Sequence, residues 1–252
     1  NPLIVHISNK KQIKELTKKV PEKARKLMDK FWPGPLTIIL EKREIVPDEV
    51  TAGISTVAIR MPKNNLALKL IELSGLPIAA PSANSSGKPS PTSGKHVVDD
   101  LNGKIDAILD SGRVNIGLES TVIDLTSKTP IILRPGKITS LQIRNTIGNV
   151  SLSTGSTKTP RCPGIKYKHY SPKAKVYRFR TEKDIQNFCK NNNKKIKKLT
   201  YKNKNEMARN LFGDFREADR KGFQIILVKE VSETGIGSAI MNRLRKASEK
   251  FE

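Results

Sequence analysis

A short polar segment, residues 82–92 (SANSSGKPSPT), carries hydroxyl and amide side chains and one charged residue, Lys88. We call this segment the serine–proline loop. The rest of the chain is strongly basic, with a net charge of +23. Hydroxyls, amides and backbone N–H groups are donors that proteins place against phosphate oxygens. Ser82 and Asn84 would project to the same face if the preceding strand continued through them. The loop is therefore either a phosphate-binding loop or an ordinary solvated one.

Two further side chains with useful chemistry stand at the ends of apolar runs. Arg60 follows Val57, Ala58 and Ile59, which predicts a half-buried setting. Its planar guanidinium suits a bidentate grip on a carboxylate, and the alternative is a surface ion pair. His6 has apolar neighbours on both sides, and a lone histidine in such a setting is usually a satisfied core residue.

Several classes of site and location are excluded by composition. The two cysteines, Cys162 and Cys189, fit neither a disulfide framework nor a metal knuckle. No cluster of histidines, cysteines or paired carboxylates predicts a transition-metal site. No stretch approaches the roughly 20 apolar residues that span a bilayer. We therefore expect a cytoplasmic protein with no membrane segment and no resident metal.

The positive charge is concentrated toward the C-terminal part of the chain. Such a field favours polyanions, including nucleotides and RNA. The alternative is that most lysines only solvate the surface. Runs such as NNNKKIKK (191–198) lack interleaved aromatic residues, which favours the solvated surface for those runs.

The elements that must position these residues follow from hydrophobic periodicity in the first 150 residues. Short β-rich runs predict strands at 2–7, 36–42, 56–62, 76–82, 107–112, 120–125 and 130–135. Helical spacing of apolar residues predicts helices at 22–31 and 66–73. The sequence WPGP (32–35) should end the first of these helices. Residues 1–147 are therefore predicted to form an α/β domain with a twisted mixed sheet.

The character of the chain changes after this domain. Residues 148–173 are rich in Ser, Thr, Gly and Pro and predict an extended linker. Residues 174–252 predict a small Rossmann-like domain with a parallel sheet, because three strands each precede a helix. The strands are expected at 174–180, 195–201 and 223–231, and the helices at 181–190, 205–220 and 236–251. Glycines in TGIGSAI (234–240) could approach a phosphate or only allow close packing, and we favour packing.

Six blocks in the same order carry a resemblance to a known family: NPLIVHI, FWPGPLTIIL, TVAIRMP, APSANSSGKPSPT, ESTVIDL and ILRPG. They resemble the YrdC-like family of L-threonylcarbamoyladenylate synthases. PGIKYKHYSP and GIGSAIMNRLRKAS resemble the linker and the C-terminal domain of its long, two-domain members. The resemblance implies that ATP, bicarbonate and L-threonine form threonylcarbamoyl-AMP and pyrophosphate. Partner proteins would then transfer the threonylcarbamoyl group to an adenosine of tRNA.

The resemblance also implies roles for individual residues. It places Arg60 on the carboxylate of L-threonine, with His6 and Ser120 beside that substrate. The residues that it assigns to ATP are Asn1, Thr56, Ala80, Ser82, Asn84, Ser90, Arg134 and Tyr170. Of all these, Arg60, Ser82, Asn84 and Arg134 are expected to carry the catalytic step. Magnesium is expected only as the companion of ATP, held by phosphates and water.

The linker is predicted to act as a lid, with Tyr170 as its contact to the nucleotide. Its aromatic residues, Tyr167 and Tyr170, should dock on a surface, since ordering them costs entropy. The alternative is that these tyrosines only join the two domains.

Family members carry a Pro-Thr-Glu-Thr segment and a phosphate-binding Lys-x-Arg pair upstream of the first matched block. Both would fall before Asn1, so the resemblance implies that an N-terminal segment is missing from this sequence. Two alternative functions stay open on the sequence. One is carbamoyl-adenylate formation on the same fold. That reaction would not need a pocket for L-threonine, so Arg60, His6 and Ser120 together disfavour it. The other is a non-catalytic RNA-binding module that uses the positive charge.

Overall fold

The computed structural model describes residues 1–153 and 170–250. Contacts divide them into two compact units. The N-terminal unit takes the described residues within Asn1–Pro81 and Glu119–Lys166, and the C-terminal unit those within Ser82–Leu118 and Tyr167–Glu252. Residues 82–118 thus pack with the C-terminal part of the chain. The domain boundaries predicted from sequence (1–147, 148–173 and 174–252) stay a prediction, and residues 154–169 of the predicted linker lie outside the described residues.

The N-terminal unit contains a mixed sheet, as the periodicity predicts. Its strands are β1 (Ile4–His6), β2 (Leu36–Glu41), β3 (Thr56–Arg60), β4 (Ile78–Ala80), β5 (Thr121–Asp124), β6 (Ile131–Arg134) and β7 (Ser151–Leu152). They lie in the order β4-β1-β3-β2-β5-β6-β7. The pairs β1/β3, β2/β5 and β6/β7 are parallel, and the other neighbours are antiparallel.

Helices connect these strands and continue through the C-terminal unit. They are α1 (Ile13–Leu16), α2 (Glu22–Phe31), α3 (Asp48–Thr51), α4 (Asn65–Ser74), α5 (Gly94–Leu101), α6 (Ser140–Ile147), α7 (Glu182–Lys190), α8 (Lys204–Arg220) and α9 (Gly237–Ala247), with a 3-10 turn at Lys10–Gln12. Helix α2 buries Ala24, Leu27 and Met28, which are three and four residues apart and share one face. Helix α4 begins where the side chain of Asn64 accepts a hydrogen bond from the backbone N–H of Ala67.

The two faces of the mixed sheet carry different residues, because side chains alternate along a strand. One face contributes Val57 and Ile59 to the large core, where they pack with residues of α2. The other face holds a smaller apolar cluster of Ile4, Ile39, Ala58 and Val122. The same alternation places His6 with Ile4, and Arg60 with Ala58, on this second face. The predicted site residues of β1 and β3 therefore point away from the large core.

The C-terminal unit has the predicted parallel sheet. Its strands are β8 (Lys175–Phe179), β9 (Ile196–Leu199), β10 (Ile225–Lys229) and β11 (Glu249–Lys250), in the order β11-β8-β10-β9 with every neighbouring pair parallel. Helices α7, α8 and α9 follow β8, β9 and β10, so the three predicted β-α units are confirmed. Helix α8 supplies Leu211, Phe212 and Phe215 to the core of this unit, all fully buried.

One predicted strand is wrong. Residues 107–112 form no strand, and Leu109 in this run is 59% exposed. At the end of this run the chain bends: Gly112 has φ +84°, and its N–H donates to Asp110 Oδ1 at 2.8 Å. A short apolar run has β character only when a neighbouring strand covers it, and sequence periodicity does not report neighbours. Helices α1, α3, α5 and α6 and the two-residue strands β7 and β11 were not predicted. The helix predicted at 236–251 ends at Ala247, and β11 takes the place of its last residues.

Of the two glycines in TGIGSAI, Gly237 is explained by packing, whereas Gly235 has φ +61° and nothing within 4 Å of its Cβ position. A Cβ on Gly237 would lie 2.0 Å from the backbone oxygen of Ser232, so no larger residue fits where α9 begins. This close approach accounts for Gly237 without a ligand.

A second close approach, at Gly117, yields a stability prediction. Gly117 has φ +76°, and a Cβ there would lie 2.3 Å from the backbone oxygen of Arg209 on α8. We expect Gly117→Ala to lower the free energy of unfolding by about 2–4 kcal/mol, from left-handed strain plus overpacking. Gly103 is the control, since it has φ +72° with nothing near its Cβ position. Gly103→Ala should cost only about 1–2 kcal/mol. Chemical denaturation measures both, and equal losses would show that the contact with α8 is unimportant.

Candidate functional site

Four predicted site residues of the N-terminal unit meet at one edge of its sheet. Strands β1 and β3 are parallel, with His6 in register with Arg60, so both residues stand at the carboxyl ends. Strand β2 runs antiparallel to β3, β5 runs parallel to β2, and β6 runs antiparallel to β5. The end of β6 (Arg134) and the start of β5 (preceded by Ser120) therefore reach that same edge. We call this the arginine edge.

Ser120 and Arg134 form a buried hydrogen-bonded group at this edge. Arg134 Nε donates to the backbone oxygen of Ser120 at 3.1 Å, and Nη2 donates to Ser120 Oγ at 3.0 Å. Ser120 Oγ also lies 2.7 Å from Thr37 Oγ1. Arg134 is 4% exposed and Ser120 is 2% exposed. These contacts fix the guanidinium of Arg134 in one orientation. Thr37, on β2, is a member of the group that sequence reasoning missed, because nothing local distinguishes it from a core threonine.

Arg60 is held less completely. Its Nε donates to the backbone oxygen of Gly34 at 3.1 Å, and no carboxylate within residues 1–153 and 170–250 pairs with its charge. The role of the WPGP turn follows from this contact. A Cβ on Gly34 would lie 2.3 Å from the backbone oxygen of Phe31, so only glycine fits there. The Gly34 N–H donates to Met61 at 2.9 Å, which ties the turn to the end of β3.

The surroundings of Arg60 disfavour its charge. Burial, and as a second cause the nearby positive charge of Arg134, lowers the pKa of the Arg60 guanidinium to about 10. The group is still a cation at neutral pH. A half-buried cation beside a second cation, without a carboxylate partner, is stabilised by an incoming anion.

His6 is neutral at physiological pH. Burial lowers its pKa to about 4, with Arg60 as the second cause, and hydrogen bonds with the backbone of Ile78 and Ile4 oppose the shift only in part. A neutral imidazole beside the Arg60 guanidinium can donate or accept a hydrogen bond without adding charge. The arginine edge therefore offers a carboxylate-binding cation with a neutral polar neighbour.

The other predicted ATP residues of the N-terminal unit lie toward the opposite edge. Thr56 begins β3, roughly 13 Å along the strand from Arg60. Its side chain is buried, and Oγ1 has no hydrogen-bond partner among the described residues. Asn1 precedes β1, which runs parallel to β3, and Ala80 lies opposite Ile4 in the antiparallel pair β1/β4. The sheet thus separates these three residues from His6, Arg60, Ser120 and Arg134.

The serine–proline loop belongs to the C-terminal unit and is not an extension of β4. The strand ends at Ala80, and the backbone N–H of Asn84 donates to Ser82 at 2.9 Å across a turn. The condition under which Ser82 and Asn84 would share a strand face, a strand that continues through both residues, is therefore not met. Asn84 Nδ2 donates to the backbone oxygens of Ser85 at 2.8 Å and Lys88 at 3.3 Å, which shapes the loop. Asn84 Oδ1 is buried without a partner in the described structure, while Ser82 is exposed and Ser90 half-buried.

Tyr170 lies in the core of the C-terminal unit. Its ring is 6% exposed and stacks on Phe212, with centroids 5.1 Å apart. The Arg243 guanidinium lies 5.7 Å from the ring centroid. The contact of Tyr170 with a nucleotide stays a prediction. The rest of the predicted lid, including Tyr167, lies outside the described residues.

Within 1–153 and 170–250, no group of three or more His, Cys, Asp or Glu side chains lies close enough together to hold a metal ion. In the same part of the chain, no helix is long and apolar enough to cross a membrane.

Comparison with known proteins covers almost the whole chain. A family model described as "Telomere recombination" (Sua5, YciO and YrdC) matches residues 1–136, and one described as "Threonylcarbamoyl-AMP synthase, C-terminal domain" matches residues 138–249. The threonylcarbamoyl-AMP synthase of Pyrococcus abyssi is 47% identical, over 98% of this chain and 80% of that protein. The enzymes of Bacillus subtilis and Schizosaccharomyces pombe are 42% and 38% identical, again over 98% of this chain and over 79% and 76% of their own lengths.

A solved structure shows the same architecture. The crystal structure of P. abyssi Sua5 complexed with L-threonine matches with a TM-score of 0.93 at 45% identity, covering 100% of this chain and 82% of that one. This match confirms the predicted fold class.

The shifted pKa of His6 predicts a pH dependence of stability. The unfolded chain takes up a proton near pH 6.5, whereas folded His6 does so only near pH 4. Stability from this residue is therefore complete above pH 6.5 and is lost as the pH falls toward 4, by at most about 1.4 kcal/mol per pH unit. His6→Asn should remove this part of the slope when unfolding is measured between pH 4 and 7. Parallel curves for the variant and the unmodified protein would contradict the assignment.

Proposed function

Since the chain belongs to the threonylcarbamoyl-AMP synthase family, we propose that it makes L-threonylcarbamoyladenylate and pyrophosphate from L-threonine, bicarbonate and ATP. The observation that carries the proposal is the half-buried Arg60 guanidinium, which has no carboxylate partner in the described structure and lies in register with neutral His6. A carboxylate of an amino-acid substrate satisfies this cation. The relative solved with L-threonine supports threonine as that amino acid.

The chemistry needs no covalent enzyme intermediate. The threonine amine attacks the carbon derived from bicarbonate, and water leaves as the carbamate forms. A carbamate oxygen then attacks the α-phosphorus of ATP, and the bond to pyrophosphate breaks. Positioning and charge stabilisation supply the rate enhancement in such a reaction. Arg60 orients the carboxylate, which fixes where the amine lies.

Arg134 is proposed to stabilise negative charge on the phosphates. Ser120 already orients the Arg134 guanidinium, so its positive charge does not have to move into place during the reaction. Ser120 also contacts threonine in this proposal, which would link the two substrate positions at the arginine edge. Asn1, Thr56, Ala80, Ser82, Asn84, Ser90 and Tyr170 are proposed as further ATP contacts on the strength of the family resemblance. The orphaned Oγ1 of Thr56 and Oδ1 of Asn84 support this for those two residues.

Magnesium is proposed to arrive with ATP. Mg²⁺ commonly keeps several waters and is held mainly by substrate phosphates, so it needs few protein ligands. The product is a reactive mixed anhydride, which a transferase partner would pass to an adenosine of tRNA. We infer a cytoplasmic location from this use of tRNA.

One assay separates this proposal from its alternatives. Pyrophosphate release from ATP is measured with and without L-threonine and bicarbonate, and the adenylate is identified by mass spectrometry. The proposal expects release only with both, together with threonylcarbamoyl-AMP. Threonine-independent release would indicate a carbamoyl-adenylate-forming enzyme. Binding of tRNA without any ATP turnover would indicate an RNA-binding module.

Arg60→Met provides the sharpest test of a single residue. Losing a charge-assisted pair should weaken L-threonine binding about 10- to 100-fold. The melting temperature of the ligand-free protein should stay the same or rise, because a poorly compensated charge leaves a half-buried position. Calorimetric titration with L-threonine and thermal melting measure the two effects. Arg144→Met, on the exposed surface of α6, controls for loss of charge. Unchanged threonine affinity would remove Arg60 from the site.

A further inference from the structure

Helix α8 has a second face besides the one that packs in the core. Arg209 Nε donates to the backbone oxygen of Asn115 at 3.2 Å, and Asn210 Oδ1 accepts from Arg113 Nη2 at 3.0 Å. Four residues beyond Arg209, Gly213 approaches Thr92: a Cβ on this glycine would lie 3.3 Å from Thr92 Oγ1. The positions 209, 213 and 216 recur at helical spacing and share one side of the helix. This side of α8 docks the segment 82–118.

Arg216 makes the contact closest to the serine–proline loop. Its Nε and Nη2 both donate to the backbone oxygen of Pro89, at 3.0 and 2.5 Å. Nη2 also donates to Asp100 Oδ2 at 2.8 Å, on α5. One guanidinium thus joins the loop backbone, α5 and α8. Only 10% of the Arg216 side chain is exposed, so these contacts are shielded from solvent.

Asp100 completes the arrangement from the other side. Its carboxylate accepts from Lys88 Nζ at 2.7 Å and from the backbone N–H of Ser85 at 3.3 Å, and its side chain is 1% exposed. Burial alone would raise the Asp100 pKa, but hydrogen bonds from Arg216 and then Lys88 outweigh burial and hold it at about 2. The carboxylate therefore stays ionised at neutral pH. The charge of Lys88, the single cation of the loop, is taken up by this carboxylate.

The loop is also tied to the chain that follows Tyr170. The backbone N–H of Ser171 donates to Gly87 at 3.0 Å. Hydrogen bonds thus tie four consecutive or nearby loop residues to groups outside the loop. Asp100 holds residues 85 and 88, Ser171 holds residue 87 and Arg216 holds residue 89.

We propose that Arg216 is a positioning residue for ATP, which locks the serine–proline loop through Pro89 and Asp100 so that the loop's polar groups are ordered before the nucleotide binds. The proposal rests on the proposed function and assigns a task to the C-terminal part of the chain. A loop that is ordered in advance loses less conformational entropy on binding. Without the lock, ATP would have to order the loop itself, so ATP affinity falls while threonine affinity, set by strands β1 and β3, is retained.

The test compares three variants of α8. Arg216→Gln removes the charge and the forked contact, Arg216→Lys keeps the charge but not the fork, and Arg220→Gln is the control. Arg220 is exposed on the same helix and pairs with Glu217. The readouts are KM for ATP, KM for L-threonine and hydrogen exchange of the amides of residues 84–90.

We expect Arg216→Gln to raise KM for ATP by about 10-fold or more, with KM for L-threonine within about 2-fold of the unmodified protein. Exchange at 84–90 should accelerate in the same variant, Arg216→Lys should be intermediate, and Arg220→Gln should be unchanged. Exchange is measured without substrates, so it reports on the lock even if the protein proves to have another activity. Unchanged exchange in Arg216→Gln would overturn the lock. Faster exchange with an unchanged KM for ATP, or with equal rises in both KM values, would overturn the positioning role.

Discussion

The placement of Arg60 beside Arg134 is the constraint on which the candidate site depends. Burial of a cation and its closeness to a second cation both oppose folding, and the lowered pKa of Arg60 reflects first its burial and then the charge of Arg134. The sheet holds the arrangement nonetheless. Arg134 is fastened by Ser120, and the backbone of Arg60 is part of β3, between β1 and β2. The free energy of packing in the surrounding core offsets this cost, and in the proposed reaction an anionic substrate relieves it.

Asp100 and Arg60 are charged groups with little exposure to solvent, and the protein compensates their charges to different degrees. Asp100 is fully compensated, with Lys88 and Arg216 both donating to its carboxylate. Such a closed arrangement fixes structure, because breaking it would leave a buried charge unpaired. Among the described residues, the Arg60 side chain makes one hydrogen bond, to the Gly34 carbonyl. An open arrangement contributes less to stability and leaves donors available for a ligand. The difference in compensation supports a structural role for Asp100 and the proposed binding role for Arg60.

The two substrates of the proposed reaction are served by different kinds of element. The residues proposed to bind L-threonine (His6, Arg60 and Ser120) stand on or beside strands. The positions of these strands are set by the ladder of backbone hydrogen bonds and by the core. Most of the proposed nucleotide residues of the C-terminal unit stand on a loop, which has no ladder of its own. That loop needs side-chain contacts to be ordered, and α8 provides them. Residues 82–118 fall within the first family model yet pack with residues of the second.

The sequence by itself determined the local elements and the residue types available for chemistry. Periodicity predicted α2, α4, the β-α units and most strands, since each depends on which residues within a few turns share a face. It also placed Arg60 and His6 at strand ends. It did not determine which strands are neighbours, so the convergence of Ser120 and Arg134 with Arg60 and His6 could be expected only from the family resemblance. The partnership of Asp100 with Arg216, 116 residues apart, had no local signal at all. The same limit produced the false strand at 107–112. Pairing over such distances is decided by the packing of the whole core, because a contact between remote residues forms only where every intervening element has its place.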